Sequence, residues 1–268
     1  MTAGSNRGAW LAWYVEAGAD EAIGEAPVDR FAHSGEKSTE PAPSLDALAQ
    51  PSVPPPAKLI ARDALEATAR ELALSADSVE DLARTFAAFD GCDLKLTANN
   101  FVFADGNPDA RIMFIGEAPG AEEDRQGVPF VGPAGRLLDL MLAAIGLDRS
   151  DAYITNILPW RPPGNRNPTD AETTACLPFI ERHIELARPQ ILIPVGGTAA
   201  KALLNTRESI MKLRGRWLIY ATPRMDVVPT RAILHPAYLL RSPAQKRDTW
   251  RDLIAIKQRL DEIGDVAT

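Results

Sequence analysis

The amino-acid sequence predicts a three-layer α/β/α sandwich around a central, mainly parallel, four-stranded sheet. Short apolar runs alternate along the chain with segments of helical periodicity, which is typical of α/β folds. The runs that form the predicted core strands are apolar on both faces, as parallel strands covered by helices on both sides are. The chain has 268 residues, of which 46% are hydrophobic, so a large domain with a well-buried core is expected.

The N-terminal part of the chain differs in composition from the rest. We expect a helical segment over residues 1–33, followed over 34–57 by a flexible linker rich in Pro, Ser and Ala. The α/β domain is predicted over 58–268. It is expected to open with two helices, over 60–74 and 77–88.

Strands and helices alternate through the rest of this domain. The predicted strands are four core strands and one edge strand, at 110–116, 152–158, 191–196, 231–234 and, for the edge, 216–222. The predicted helices are at 135–145, 169–187, 198–204 and 243–263. Thr169 and Glu172 have the spacing of a capping box, in which each side chain satisfies a free backbone N–H of the first turn. The helix after this pair therefore has a clear start signal.

The sequence gives no sign of membrane insertion or secretion. No apolar run reaches the roughly 18 residues that a membrane-spanning helix needs, and the N-terminus lacks a basic region followed by an apolar core. Cys92 and Cys176 are the two cysteines of the chain, and they are too far apart in sequence to indicate a disulfide framework. We therefore expect a cytoplasmic protein with no membrane partner.

Charge is distributed unevenly along the chain. The net charge is −7, yet residues 201–251 carry 11 basic and 3 acidic side chains. A polyanion responds to such a local patch rather than to the net charge of the whole protein. Composition alone leaves two interpretations open, a nucleic-acid-binding face and an ordinary solvated basic face.

Four polar loops rich in Gly or Pro follow the predicted core strands. They are GEAPGAEEDRQGVPFVGPAGR (116–136), NILPWRPPGNRNPT (156–169), GGTA (196–199) and HPAYLLRSP (235–243). Because ligands of open parallel sheets bind beyond the carboxyl ends of the strands, these loops are expected to converge on one site. GEAPG has neither the spacing of a phosphate-binding P-loop nor that of a dinucleotide-binding turn, which disfavours an unrelated nucleotide enzyme.

Taken in this order, the motifs GEAPG-x-x-ED, G-x-PFVG-x-AG, N-x-x-x-x-RPPGNR-x-P and HPAYLLR resemble the uracil-DNA glycosylase superfamily, in particular the iron–sulfur enzymes of family four. The resemblance covers roughly residues 85–263. It implies a monofunctional DNA glycosylase that flips uracil out of DNA and hydrolyses its N-glycosidic bond, leaving an abasic site for base excision repair. The implied partners are uracil-containing DNA and free uracil as product, and we expect a monomer.

The resemblance also implies which residues form the uracil pocket. Phe130 matches the aromatic residue that stacks on uracil, and Asn156 matches the amide that reads the polar edge of the base. His235 matches the histidine that donates a hydrogen bond to O2 as negative charge develops on the departing base. Glu117 and Ala118 match the turn whose backbone frames the pocket and holds the water.

Two further residues are implied to lie beside the reacting groups. Glu123 matches a carboxylate at the pocket wall that crowds the methyl group of thymine, and Asn165 matches a residue near the sugar and the water. The candidate catalytic residues are therefore Glu117, Glu123, Asn165 and His235. Because a stabilised oxocarbenium ion needs only weak base assistance, none of them is singled out as the base that activates water.

Contacts to DNA are expected from basic side chains and from the HPAYLLR loop. Arginine and lysine bind phosphates, and the candidates are Arg166, Arg214, Arg241 and Lys246. Leu239 and Leu240 belong to the element that resembles the minor-groove wedge of the superfamily. Core packing is the alternative role for both leucines.

The cysteines depart from the pattern of the iron–sulfur relatives, which hold their cluster with four thiolates. Cys92 and Cys176 match two of those positions, whereas Phe89 and Trp160 stand at the other two. Because two thiolates cannot hold a cubane cluster, we expect no iron–sulfur cluster, no other metal site and no cofactor. The two aromatic rings would fill the space of the cluster.

Two alternative functions stay open on the sequence. One is a glycosylase that prefers other deaminated bases, such as hypoxanthine. The other is a non-catalytic or product-retaining binder of uracil or abasic DNA. Base release from DNA carrying each lesion distinguishes them.

Overall fold

The computed structural model describes residues 57–266, and side chains over 64–264. The predicted N-terminal helical segment, 1–33, lies outside the described residues. So does the predicted linker, 34–57, except for Ala57, at which the first helix begins. Among the described residues, no helix is both long and apolar enough to cross a membrane.

The described residues form nine α-helices. They are α1 (Ala57–Leu74), α2 (Val79–Ala88), α3 (Ala121–Gln126), α4 (Pro133–Ala143), α5 (Asp170–Ala187), α6 (Gly197–Leu203), α7 (Ile210–Leu213), α8 (Pro236–Arg241) and α9 (Lys246–Val266). The six predicted helices correspond to α1, α2, α4, α5, α6 and α9, with ends that differ by a few residues. Thr169 and Glu172 form the predicted capping box at the start of α5.

The described strands form one six-stranded sheet. They are β1 (Ala104–Gly106), β2 (Ile112–Gly116), β3 (Ala152–Asn156), β4 (Ile191–Pro194), β5 (Leu218–Thr222) and β6 (Met225–Thr230). Their order across the sheet is β1-β3-β2-β4-β6-β5. The four central strands are parallel, and β1 and β5 pair antiparallel at the two edges. The predicted α/β class with a mainly parallel centre is confirmed, and the antiparallel edges bring the sheet to six strands.

The fourth parallel strand is β6, so the prediction of a core strand at 231–234 is wrong. That segment contributes one isolated parallel bridge, between Val195 and Ile233. β6 contains Asp226 and Pro229, and it therefore lacks the continuous apolar run of a buried strand. Its place follows from tertiary pairing, antiparallel along β5 and parallel to β4 at a single residue pair.

Helices cover both faces of the sheet because the residues of each central strand alternate between two hydrophobic cores. One core contains Met113 and Ile115 of β2, together with residues of α1, α2 and α5. The other contains Ile112 and Phe114 of the same strand, together with residues of α4, α8 and α9. Successive side chains of a strand point to opposite faces, so this alternation produces the three layers.

The register of the central strands brings the four polar loops to one edge of the sheet. Gly116, the last residue of β2, pairs with Asn156, the last residue of β3. The backbone N–H of Gly196 donates to the carbonyl of Ile233, at 2.9 Å. The loops that follow these positions therefore begin side by side.

Candidate active site

A cavity of about 430 Å³ opens where the four loops meet. This volume lies within the roughly 300–1,000 Å³ that is typical of small-molecule sites. Nine of the predicted site residues line the cavity, namely Glu117, Ala118, Glu123, Phe130, Asn156, Asn165, Arg166, His235 and Arg241. The other four, Arg214, Leu239, Leu240 and Lys246, lie outside its walls. The cavity is therefore built mainly from residues that are far apart in sequence.

Phe130 and Asn156 approach each other across Gly116 at the end of β2. A Cβ atom at position 116 would lie 2.6 Å from Cζ of Phe130 and 2.3 Å from Oδ1 of Asn156. Both distances are far below van der Waals contact, so only glycine lets the ring and the carboxamide occupy these positions together. Both side chains are almost fully buried.

His235 completes this group on the other side of the phenyl ring. The ring centroids of Phe130 and His235 are 5.7 Å apart, with their planes inclined by 27°. A Cβ atom at Gly196 would lie 3.1 Å from Cβ of His235, and Gly196 has a φ of +94°. The close approach and the positive φ both favour glycine at this position, two residues after β4.

The imidazole of His235 is neutral at pH 7. Burial lowers its pKa to about 4, with a further lowering by the charge of Arg241 and an opposing effect of Glu123. His235 precedes α8, and its Nδ1 accepts a hydrogen bond from the backbone N–H of Ala237 at 3.1 Å. A neutral imidazole whose Nδ1 accepts carries its proton on Nε2, so the ring can donate one hydrogen bond from Nε2.

Glu123 connects two of the loops. Its side chain is buried, Oε1 accepts from the backbone N–H of Gly132 at 2.8 Å, and Oε2 accepts from that of Gly120 at 3.1 Å. The carboxylate lies at the cavity wall as the sequence predicts. Its two hydrogen bonds also fix the segment that carries Phe130 relative to the GEAPG turn.

The amide of Asn165 is oriented by Arg161. Nε of Arg161 donates to Oδ1 of Asn165 at 2.8 Å, and Nη1 of Arg161 lies 3.9 Å from a carboxylate oxygen of Asp124. Asp124 is itself buried and accepts backbone N–H groups of Asn99 and Asn100, at 2.8 and 3.2 Å. Because Oδ1 of Asn165 is engaged, its NH₂ group is the side that can face a ligand.

Arg166 reaches the cavity rim while it is held by the start of α5. Its two Nη groups donate to the two carboxylate oxygens of Glu172, at 2.9 and 2.5 Å. This hydrogen-bonded pairing lowers the pKa of Glu172 to about 2. Arg166 is exposed, so its guanidinium group is positioned beside the cavity opening.

The structure corrects two of the predicted DNA contacts. Leu239 is 1% exposed and packs in the hydrophobic core with α4 and α9, because its side chain points from α8 to the protein interior. Arg214 is bound to Asp252, at 3.0 and 2.7 Å, and to the backbone carbonyl of Asp248, at 2.6 Å. Its guanidinium group is therefore part of an internal ion pair. Leu240 and Lys246 are exposed.

The four positions that match cluster ligands lie together in a buried aromatic region. Phe89, Cys92, Trp160 and Cys176 all belong to the same hydrophobic core. The indole of Trp160 packs edge-on against Phe86, with ring centroids 5.5 Å apart.

The two thiols of this region, Cys92 and Cys176, are hydrogen-bonded to each other. A hydrogen bond between Cys92 and Cys176 lowers the pKa of the Cys92 thiol, and the same contact raises that of Cys176, as burial also does. In the part of the chain that the structure describes, no three His, Cys, Asp or Glu side chains lie close enough together to hold a metal ion. These residues do not fit a cubane cluster, which needs four thiolates.

Sequence reasoning missed three contributors to the site. Tyr238 lines the cavity and is 36% exposed. Its position in HPAYLLR, one residue before a buried leucine, does not by itself indicate that it lies at the site. Arg161 acts through Asn165, four residues away. Gly116 was visible as the end of a strand, but its contact with two distant side chains was not.

Comparison with known proteins identifies the family of this chain. The family model for the uracil DNA glycosylase superfamily matches residues 103–254. A Type-4 uracil-DNA glycosylase from Archaeoglobus fulgidus is 41% identical over 177 residues, which cover 64% of this chain and 88% of the relative. Similar enzymes from Thermotoga maritima and Saccharolobus solfataricus are 43% identical over 152 residues (56% and 77% of the two chains) and 42% identical over 177 residues (63% and 80%). The chain therefore belongs to the uracil DNA glycosylase superfamily.

Proposed function

We propose that this protein is a monofunctional uracil-DNA glycosylase that acts as a monomer, flips uracil out of DNA and hydrolyses its N-glycosidic bond. The observation that carries the proposal is the meeting of Phe130, Asn156 and His235 in one cavity at the carboxyl edge of the sheet. The names of the relatives, uracil-DNA glycosylases with 41–43% identity, support the same substrate.

Uracil is recognised by stacking and by its hydrogen-bonding edge. Stacking on an aromatic ring contributes about 1–3 kcal/mol per base, and Phe130 supplies that ring. The amide of Asn156 donates to O4 and accepts from N3–H of uracil, whereas cytosine presents the reverse pattern. Because Asn156 is buried, an unmatched base would leave its amide without partners, which costs about 1–3 kcal/mol.

His235 stabilises the departing base. Cleavage of the bond between C1′ and N1 leaves an oxocarbenium-like sugar and a uracil anion, with part of the negative charge on O2. Nε2–H of the neutral imidazole donates to O2 as that charge develops. Removing one such preorganised donor typically lowers the rate about 10²–10³-fold.

Water completes the reaction on the sugar. The GEAPG turn at Glu117 and Ala118 and the NH₂ group of Asn165 lie in the same cavity and would hold the water. Among the described residues that line the cavity, none is a lysine. The described cavity wall therefore offers no lysine amine that could form a Schiff base with the sugar, which supports hydrolysis by water alone.

DNA is bound around the cavity opening by Arg166, Arg241 and Lys246, with Leu240 as the exposed apolar residue of α8. Arg166 and Arg241 line the cavity, and Lys246 and Leu240 are exposed nearby in sequence. Arginine and lysine neutralise phosphates. Leu240 would enter the stack that the flipped base leaves.

The enzyme works without an iron–sulfur cluster. Two thiols remain of four ligands, and Phe89 and Trp160 fill the core beside them. Purified protein is expected to lack the broad absorption near roughly 400 nm that thiolate-to-iron charge transfer gives in such clusters. Iron bound in stoichiometric amount, together with that band, would contradict this part of the proposal.

Uracil release from single- and double-stranded DNA tests the function directly. We expect activity in the natural protein and losses of about 10²–10³-fold in Asn156→Ala and His235→Ala. Asn107→Ala, in an exposed turn between β1 and β2, is the matched control and is expected to retain activity. Equal activity in all variants would contradict the site. Binding of uracil-containing DNA without release would favour the non-catalytic binder, and preferential release of hypoxanthine would favour the other glycosylase.

A further inference from the structure

Phe130 is held in a backbone conformation that phenylalanine rarely adopts. Its φ is +55°, in the left-handed region that glycine favours. Its carbonyl group occupies the space where a side chain would begin at Gly135, since a Cβ atom there would lie 1.6 Å from the Phe130 oxygen. A conformation of this kind persists only when surrounding contacts hold it.

Arg149 supplies those contacts. Its Nη2 donates to the carbonyl of Phe130, and its Nη1 donates to the carbonyl of Pro129 at 3.2 Å. The same guanidinium group is fixed from its other side by two carboxylates. Nε donates to Asp139 at 2.8 Å, and Nη1 donates to Asp105 at 2.5 Å.

These contacts join three separate elements around the stacking ring. Asp105 belongs to β1, Asp139 belongs to α4, and Arg149 lies in the turn that precedes β3. The Arg149 side chain is 26% exposed, and it is not among the residues that line the cavity. The direct link from Arg149 to a residue of the cavity wall is its hydrogen bond to the carbonyl of Phe130.

We infer that Arg149 is a positioning residue for uracil binding, which fixes the carbonyl of Phe130 and thereby sets the phenyl ring over the base. The inference rests on the proposed function. Arginine suits this role because its planar group presents five N–H donors in a fixed arrangement. Lysine would keep the charge but could not bridge two carbonyls and two carboxylates in the same geometry.

The first experiment compares Arg149→Lys with Arg182→Lys. Arg182 is a matched control because it binds a backbone carbonyl, that of Ala76, and one carboxylate, that of Glu185, outside the cavity walls. We expect Arg149→Lys to lower kcat/KM for uracil release about ten-fold, mainly through KM. Arg182→Lys should change kcat/KM less than about two-fold. Its change in Tm should be similar to that of Arg149→Lys.

A second readout measures the pocket without turnover. A short single-stranded oligonucleotide with 2′-fluoro-2′-deoxyuridine resists hydrolysis because fluorine disfavours the oxocarbenium ion. Arg149→Lys is expected to weaken its Kd about ten-fold, whereas Arg182→Lys leaves it unchanged. If Arg149→Lys does not fold, Asp139→Asn serves in its place, because it keeps the arginine and removes one of its carboxylate partners.

The decisive test repeats the substitution in a Phe130→Leu background. If Arg149 acts through the ring, Arg149→Lys changes Kd less than about two-fold there. An equal loss in both backgrounds, or an equal loss in Arg182→Lys, would overturn the inference. Absence of uracil release by the natural protein would contradict the proposed function instead, and the Kd comparison would still decide the role of Arg149.

Discussion

Nδ1 of His235 accepts a hydrogen bond from the backbone N–H of Ala237, at 3.1 Å. This single contact ties the start of α8 to the charge state of the imidazole, since Nδ1 can accept only while it is unprotonated. The proton of the neutral ring consequently lies on Nε2, the nitrogen that can serve uracil O2. The neutral charge of His235, the position of its proton on Nε2 and the start of α8 therefore all depend on this hydrogen bond.

The pH dependence of uracil release should reflect this arrangement. The pKa of His235 is lowered to about 4, with burial as the main cause, so the neutral donor is present above that pH and is lost below it. We expect the single-turnover rate constant for uracil release to show no titration of a histidine between pH 5.5 and 8, a range about 1.5 units or more above this pKa. A fall in rate with an apparent pKa near 6.5, the ordinary value for histidine, would contradict the neutral role of His235.

Stability should fall at acid pH because of His183. This residue is fully buried between Phe103 and Tyr153, and burial lowers its pKa to about 3. Its folded-state pKa is below that of the unfolded chain, so the unfolded state binds more protons as pH falls from about 6.5 towards 3. The free energy of unfolding should then decrease by up to about 1.4 kcal/mol per pH unit.

Chemical denaturation between pH 8 and 4 measures this slope. His183→Gln removes the titrating group, so we expect a lower stability at pH 8 but a flatter dependence on pH. An unchanged slope in the variant would show that other groups cause the acid destabilisation.

Trp160 should act as a structural residue. It is 3% exposed and contacts the rings of Phe86 and Phe101, so Trp160→Ala is expected to lower the free energy of unfolding by about 3–5 kcal/mol. Trp250→Ala is the control, because Trp250 is 44% exposed. Urea unfolding of both variants checks this prediction, and a loss at Trp160 no larger than at Trp250 would count against a packed aromatic core at that position.

Arg214 and Arg241 should differ in what their loss affects. Arg214 is paired with Asp252, which is 0% exposed and is also paired with Arg231 at 2.8 Å. Arg214→Gln therefore removes one of two arginine partners of a buried carboxylate and should cost about 1–3 kcal/mol of stability. Arg241→Gln should leave stability nearly unchanged. If Arg241 binds a phosphate, its loss should reduce the slope of log K against log salt for single-stranded DNA by about 0.7.

Binding of uracil-containing DNA at several salt concentrations, together with thermal unfolding, separates the two arginines. A reduced salt slope in Arg214→Gln, with stability unchanged, would restore it as a DNA contact. The matched charge change in the two variants removes net charge as an explanation.

Much of the site could be predicted because its residues come from short motifs at strand ends. Asn156 ends β3, so its place follows from the rule that parallel strands present their carboxyl ends at one edge. His235 precedes α8, and the isolated bridge between Val195 and Ile233 brings it to the same edge. Leu239 and Leu240 show the limit of such reasoning. They are neighbours in one motif, but the first is 1% exposed and the second 45%, because neighbouring positions on a helix face different directions.

The sequence by itself determined the layered α/β architecture and the order of the polar loops. Hydrophobic periodicity and capping residues act over a few neighbouring positions, so they can be recognised without knowing the fold. The tertiary structure decided the place of β6, the internal ion pair of Arg214 and the contact of Arg149 with Phe130, 19 residues away. Each depends on the distance and direction between groups that only the folded chain brings together, since hydrogen bonds and ion pairs weaken steeply with poor geometry.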